Sequence, residues 1–137
     1  MTRTFDSNLE RMVSDEFDRV GLDMGSCPEV VPGRPDFVLR GANIAVFVHG
    51  CYWHRHLNCA LSGESSAASS IRAKKFARSV ERDDEVRREL RTAGWSVAIL
   101  WECSLRKDLS SVIQDFIESI EINSAHNDSS LPWLFVA

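Results

Sequence analysis

The sequence has no apolar run near the length of a membrane-spanning helix, and its start lacks the basic-then-apolar form of a signal peptide. We therefore expect a cytoplasmic protein without a membrane partner. The sequence also lacks an excess of positive charge, since its net charge is −4, and this argues weakly against nucleic acid as a partner. Because a reducing compartment disfavours disulfides, the four cysteines indicate metal binding or catalysis.

The charged residues are unevenly distributed along the chain. Residues 1–33 carry 3 basic and 7 acidic side chains, residues 34–106 carry 12 and 8, and residues 107–137 carry 1 and 5. The middle segment is therefore net positive between two acidic segments. A basic face that binds phosphates is compatible with this distribution, although charge alone does not indicate one.

Length and hydrophobic periodicity predict a single α/β domain over 1–137. Helices are predicted at about 7–20, 71–93 and 109–120, and strands at 36–39, 44–48 and 95–101. The resulting order α-β-β-α-β-α favours three layers, with a central sheet between helices. The inner face of the long helix is predicted at Ala73, Phe76, Ala77, Val80 and Leu90.

Two segments are predicted as loops, and the last residues form an apolar tail. Residues 23–35 are rich in glycine and proline, and residues 61–70 in serine and alanine. The core is predicted at about 6–122, with a C-terminal tail over 123–137. Because residues 131–136 are apolar, the tail is expected either to pack as an edge element or to dock on a protein partner.

Residues 49–59 contain two cysteines and three histidines, which is typical of a metal site. Structural zinc takes four nitrogen or sulfur ligands in a tetrahedron. Cys51, His56 and Cys59 can supply three of them from one loop. The fourth is expected to be Cys103, at the end of the third predicted strand, with Cys27 as the competing choice.

The remaining histidines and two carboxylates are candidates for catalysis. Histidine is well suited to proton transfer near neutral pH, which favours a functional role for His54. For His49, beside an apolar strand, a structural imidazole is a strong alternative. Asp36 opens an apolar strand, where an acidic residue has few structural reasons to occur. Taken alone, Asp36 and Glu10 are better explained as a turn cap and a solvated helix residue.

On these residues, the chain resembles the very-short-patch-repair (Vsr) endonucleases over roughly residues 7–106. The run His-Gly-Cys-Tyr-Trp-His at 49–54, followed by Trp-Glu-Cys at 101–103, is highly specific. The other matching segments are residues 34–38, 46–48, 80–83 and 93–97. The resemblance implies a restriction-endonuclease-like α/β fold with a central mixed sheet, a structural zinc, and nicking of double-stranded DNA beside a T:G mismatch.

The resemblance also implies roles for individual residues. It implies that Asp36 binds a catalytic Mg²⁺ with help from the Val48 carbonyl, that His54 is the general base, and that His49 and Glu10 belong to the same site. It implies zinc ligands at Cys51, His56, Cys59 and Cys103, whereas Cys27 has no counterpart. The residues expected to contact DNA are Tyr52 and Trp53, which enter the base stack, and the basic side chains Arg55, Arg72, Lys74 and Lys75.

Two departures from the family concern the substrate more than the chemistry. Ile71 and Arg72 replace the family's Phe-Trp pair, so one intercalating aromatic is missing, and the 61–70 loop is less basic than in the family. The missing aromatic, the acidic terminal segments and the apolar tail favour a competing hypothesis, a catalytically weak zinc module that binds DNA or a protein. Because Asp36, His54 and Glu10 are all present, an active strand-nicking endonuclease is the preferred interpretation.

Overall fold

A computed structural model describes residues 7–25, 31, 33–39, 42–51, 54, 59, 70–125 and 133–137, without the side chains at 7, 70–73, 124 and 125. These residues form four helices and five strands. In chain order the elements are α1 (Ser7–Val20), β1 (Met24–Gly25), β2 (Phe37–Leu39), β3 (Ile44–His49), α2 (Ser70–Thr92), β4 (Ser96–Trp101), α3 (Glu102–Lys107), α4 (Leu109–Ala125) and β5 (Leu134–Val136).

The five strands form one mixed sheet in the order β1-β2-β3-β4-β5. The pairs β1–β2 and β2–β3 are antiparallel, whereas β3–β4 and β4–β5 are parallel. Strand β3 lies at the centre and every residue in it is buried, as its continuous apolar run predicts. The sheet is therefore the mixed central sheet expected for the α/β class.

Helices cover both faces of the sheet, so the predicted three-layer arrangement is confirmed. On one face, Leu9, Val13 and Phe17 of α1 pack with Phe116 of α4 against alternate residues of β3 and β4. On the other face, the remaining residues of these strands pack against Leu90 and Val86 of α2. Alternation of side chains along a strand explains why β3 and β4 supply both cores.

Helix α2 begins and ends within one residue of its predicted bounds, but its inner face differs from the prediction. Phe76 and Leu90 are buried, whereas Ala77 and Val80 are exposed; of the predicted inner residues, only Ala73 lies outside the described side chains. Val86 takes the inner position instead. The apolar residues of α2 are too few and too scattered for the sequence to specify its buried side.

Two elements were absent from the prediction: the short strand β1 lies in the predicted 23–35 loop, and helix α3 begins directly after the third predicted strand. Strand β5 comes from the tail, for which an edge element was one of the two predicted alternatives. Val97 N donates to Trp133 O at 3.0 Å and Ala137 N donates to Ile99 O at 3.0 Å, so the tail packs as an edge element. Among the described helices, none is long and apolar enough to cross a membrane.

Candidate active site and metal centre

The parallel pairing of β3 and β4 brings two distant segments of the chain to one edge of the sheet. The last residues of the strands, His49 and Trp101, are register partners. The loop after His49 therefore meets helix α3, which begins directly after Trp101. The carboxyl ends of parallel strands are where α/β sheets commonly place their ligand sites. Both candidate sites of this protein lie at this edge.

The first site is a cluster of three cysteines. Ligand atoms of Cys51, Cys59 and Cys103 all lie within 4.8 Å of one another. Cys103 N donates a hydrogen bond to Cys51 Sγ at 3.3 Å, and Cys51 N donates to Glu102 Oε1 at 3.3 Å. None of the three forms a disulfide. The donor set suits a structural zinc ion, which takes thiolate and imidazole ligands in a tetrahedron.

The electrostatics of Cys51 also bear on metal binding. Burial raises the pKa of the Cys51 thiol to about 12, and thiol hydrogen bonding with Cys103 and Cys59 adds to the rise, although the Cys103 backbone hydrogen bond lowers it in part. The sulfur is therefore protonated unless a cation replaces the proton. Metal binding at this site should consequently release protons. The other proposed ligand, His56, and the competing Cys27 lie outside the described residues.

The second site contains the two histidines predicted to be catalytic, His49 and His54, and a carboxylate that the sequence analysis did not select, Asp83. His54 N donates a backbone hydrogen bond to Gly50 O at 3.1 Å, which places His54 close to the end of β3. The rings of His49 and His54 stack with centroids 3.8 Å apart and planes 4° apart. His54 Nδ1 lies 2.7 Å from Asp83 Oδ2 on α2. The rings of Trp101 and His49 make a T-shaped contact, with centroids 5.0 Å apart and planes 78° apart.

The contact with Asp83 favours one tautomer of a neutral His54 ring. An ionised carboxylate only accepts hydrogen bonds, so the Nδ1 atom must carry the hydrogen. The Nε2 atom is then the basic nitrogen of the ring. Asp83 and His54 are both partly accessible, with side chains 26% and 21% exposed, while His49 is buried. The pair can therefore hold one imidazole in a form that accepts a proton.

A sequence signal for Asp83 was available in the spacing of α2. Asp83 lies seven residues from both Phe76 and Leu90, which are buried. Residues seven apart on a helix share a face, so Asp83 belongs to the side of α2 that meets the sheet. An acidic residue seven positions from two apolar residues of the same helix is therefore the sequence signal that identifies Asp83.

Asp36 lies beside β3, after a short loop that packs against α2. Its Oδ2 atom accepts a hydrogen bond of 2.7 Å from the backbone N of Val48, and Val48 directly precedes His49. Gly33 and Arg34 have positive φ angles of 77° and 49°, which turn the chain into β2. An ideal Cβ on Gly33 would lie 2.1 Å from Val86 Cγ1, so a larger residue here would force Val86 to shift and would strain the backbone. Backbone shape and close packing therefore fix the Asp36 carboxylate.

The other predicted site residues are placed as follows. Glu10 is half-buried in the first turn of α1, on the helix that packs against the opposite face of the sheet from α2. Lys74 and Lys75 are exposed on α2, and Arg72 lies on the same helix with its side chain outside the description. The residues Tyr52, Trp53 and Arg55, as well as the 61–69 segment, lie outside the described residues.

Comparison with known proteins agrees with the motifs. Residues 2–61 match the family model described as DNA mismatch endonuclease Vsr. The chain is 35% identical to DNA mismatch endonuclease Vsr of Escherichia coli (strain K12) over 103 residues, 75% of this chain and 65% of that protein. It is 28% identical over 103 residues to the type II nicking enzyme V.XorIIP of Xanthomonas oryzae pv. oryzae, covering 75% of each.

A third relative, the type II nicking enzyme V.NmeAIP of Neisseria meningitidis, is 34% identical over 74 residues, 54% of this chain and 52% of that protein. The matched part of the chain thus spans less than two thirds of the length of the Escherichia coli protein. The family-model match contains Asp36, β3 and the 49–59 segment, and it ends before Asp83 and Cys103. The resemblance indicated by the motifs is confirmed as a similarity in sequence: the chain is similar to the DNA mismatch endonuclease Vsr family over residues 2–61 and to the Escherichia coli enzyme over 103 residues.

Proposed function

We propose that this chain is a Mg²⁺-dependent DNA endonuclease with a restriction-endonuclease-like fold, which nicks one strand of duplex DNA. The observation that carries the proposal is the hydrogen bond of 2.7 Å between His54 Nδ1 and Asp83 Oδ2, at the same sheet edge as Asp36. A histidine oriented by a carboxylate is a recurrent arrangement for removing a proton from a nucleophile. Relatives named as mismatch endonuclease and as nicking enzymes support this reaction class.

In the proposed reaction, the chain's own residues position the cation and deprotonate a water. Asp36 would hold Mg²⁺, which commonly uses only one or two carboxylates together with substrate phosphates. Mg²⁺ bound there would neutralise charge on the phosphodiester. His54 Nε2 would take a proton from the attacking water while Asp83 holds Nδ1. His49 would support His54 through ring stacking, and roles for Glu10 and the Val48 carbonyl stay predictions.

The zinc site would hold the catalytic loop in place. Zinc bound by Cys51, His56, Cys59 and Cys103 would tie the loop after β3 to the start of α3. His54 lies inside that loop, between the first two of these ligands. Zinc would therefore set the position of the base without taking part in the reaction.

The proposed substrate is double-stranded DNA with a T:G mismatch at or near the nicked position. Tyr52 and Trp53 lie between the zinc ligand Cys51 and the base His54. Wedging such aromatics into a base step costs a few kcal/mol of unstacking, and the cost is smallest at a mismatch. Exposed Lys74 and Lys75, with Arg72 and Arg55, would contact phosphates. A protein partner at the tail and a cytoplasmic location stay predictions.

A nicking assay on supercoiled plasmid tests the proposed chemistry. We expect open circles to accumulate with Mg²⁺ and not with EDTA, and we expect Asp36→Ala and His54→Ala to abolish nicking while retaining the circular dichroism spectrum. Asp84→Asn is the control and should nick normally. Asp84 is next to Asp83 on α2, but its carboxylate pairs with Arg87 and not with His54. Full activity of purified Asp36→Ala would refute the mechanism. DNA binding without nicking by the natural protein would instead support the zinc-module hypothesis.

A further inference from the structure

The side chains of His49, His54 and Asp83 form a second metal-binding constellation, separate from the cysteine cluster. Each offers one nitrogen or oxygen ligand atom, and these atoms all lie within 4.8 Å of one another. Two imidazoles and a carboxylate are the ligand types of many three-residue zinc sites that leave a fourth position for water. We propose that these three residues bind a transition-metal cation of the Zn²⁺ class, and that this cation reversibly switches the enzyme off.

The donor set discriminates between cations. Imidazole nitrogen suits Zn²⁺, Cu²⁺ and Ni²⁺, whereas Mg²⁺ prefers six oxygen ligands and keeps several waters. Asp36 lies outside this constellation: its carboxylate is bonded to Val48 N. This edge of the sheet thus offers Mg²⁺ a carboxylate oxygen at Asp36, and it offers a transition metal two imidazole nitrogens at His49 and His54. The two classes of cation are expected to bind at different positions.

The geometry requires movements of His54 and Asp83, whose side chains are partly accessible, around the buried His49. Zinc bonds of about 2.0–2.2 Å place tetrahedral ligand atoms roughly 3.3–3.6 Å apart. The His54 Nδ1 to Asp83 Oδ2 distance of 2.7 Å is shorter than this because a proton lies between the atoms. A cation would replace that proton and move the two atoms apart. Since the His49 and His54 rings are nearly parallel, one ring must also turn so that both nitrogens face the cation.

The consequence for activity follows from which atoms the cation would occupy. A cation between His54 and Asp83 removes the hydrogen bond that orients the proposed base. Nicking should then stop although Asp36 still holds Mg²⁺, and additional Mg²⁺ should not restore it. Loss of activity therefore rests on the proposed function, whereas the binding of a second cation does not.

The experiment measures zinc stoichiometry by equilibrium dialysis with elemental analysis, with Asp83→Asn as the test variant and Asp84→Asn as the control. We expect two zinc ions per natural chain, the cysteine-bound one more tightly held. Removing a residue that hydrogen-bonds to a metal ligand typically lowers metal affinity about 10–100-fold. Asp83→Asn removes a ligand itself, so it should lower the affinity for the second zinc ion at least about tenfold. Asp84→Asn, whose carboxylate pairs with Arg87, should keep both ions.

In parallel, Zn²⁺ is titrated into the Mg²⁺-dependent nicking reaction of the natural protein at two Mg²⁺ concentrations tenfold apart. Equal inhibition at both supports the proposal. One zinc per natural chain, or an unweakened second zinc in Asp83→Asn, overturns the site. Inhibition relieved by Mg²⁺ overturns the switch, because the cation would then act at Asp36. A chain that binds the second zinc but never nicks would refute the proposed function alone.

Discussion

Replacing Gly33 by alanine should disturb the loop that holds Asp36. An ideal Cβ at this position meets Val86 Cγ1 at 2.1 Å, Cγ2 at 3.0 Å and Cβ at 3.1 Å, and the backbone φ is 77°. A left-handed backbone costs an alanine about 1–2 kcal/mol, and overpacking a filled site costs about 1–3 kcal/mol. Gly33→Ala should therefore lower the free energy of unfolding by roughly 2–5 kcal/mol and slow nicking, because Asp36 is three residues away.

The assay is urea unfolding followed by circular dichroism, with nicking rates measured on the folded variant. Gly94→Ala is the control, since Gly94 has a φ of 92° with nothing within 4 Å of its added Cβ, and should cost only the backbone contribution of about 1–2 kcal/mol. Adding Val86→Ala to Gly33→Ala removes the closest clashing atoms. The double variant should therefore lose less free energy of unfolding than the sum of the losses in the two single variants. Equal losses in Gly33→Ala and Gly94→Ala, or strict additivity with Val86→Ala, would refute the packing argument.

Three further predictions concern the metal, the base and the substrate. Cys103→Ser should lose the structural zinc while Cys27→Ser keeps it, as elemental analysis would show; loss of zinc in Cys27→Ser would mean that the fourth ligand is misassigned. Asp83→Asn should lower the single-turnover nicking rate by about 10²–10⁴-fold with DNA affinity unchanged, because His54 loses its oriented tautomer; a rate within twofold of the natural protein would contradict this. Trp53→Ala should reduce the ratio of nicking rates on T:G and fully paired duplexes, and a ratio of one in the natural protein would remove mismatch recognition from the proposal.

Elements with a strong local signal were predictable from the sequence. Helix α1 follows from the spacing of Leu9, Val13 and Phe17, and the buried strand β3 from its unbroken apolar run. The end of α2 follows from Gly94, whose positive φ lets Trp95 N bond back to Leu90 O at 2.9 Å. In each case the information lies within a few neighbouring residues.

Elements that depend on a distant partner were not predictable in the same way. Strand β1 has two residues and exists because it pairs with β2. The sequence left two alternatives for the apolar tail, an edge element of the sheet or a docking segment for a protein partner. The pairing of β5 with β4 shows that the tail is an edge element. The buried side of α2 is likewise decided by the sheet, which selects Val86 and leaves Val80 40% exposed. Periodicity is a weak guide where one helix carries many charges and few apolar residues.

The candidate site shows the same division. The cysteines in the dense 49–59 segment and Cys103 were selected from the sequence, and the structure brings Cys51, Cys59 and Cys103 together. Asp83 was hidden among the charges of α2, and its contact with His54 spans 29 residues. The importance of Gly33 also comes from tertiary contact, because nothing in the local sequence identifies Val86 as its neighbour.

Single-turnover cleavage of a short duplex with a different fluorophore on each strand tests the central claim most directly. With one T:G pair and Mg²⁺, we predict that one labelled strand is cut at a single position and the other stays intact. EDTA or His54→Ala should prevent the cut. Cleavage of both strands, or an equal rate of cutting by His54→Ala, would contradict the account of a strand-nicking endonuclease whose base is His54.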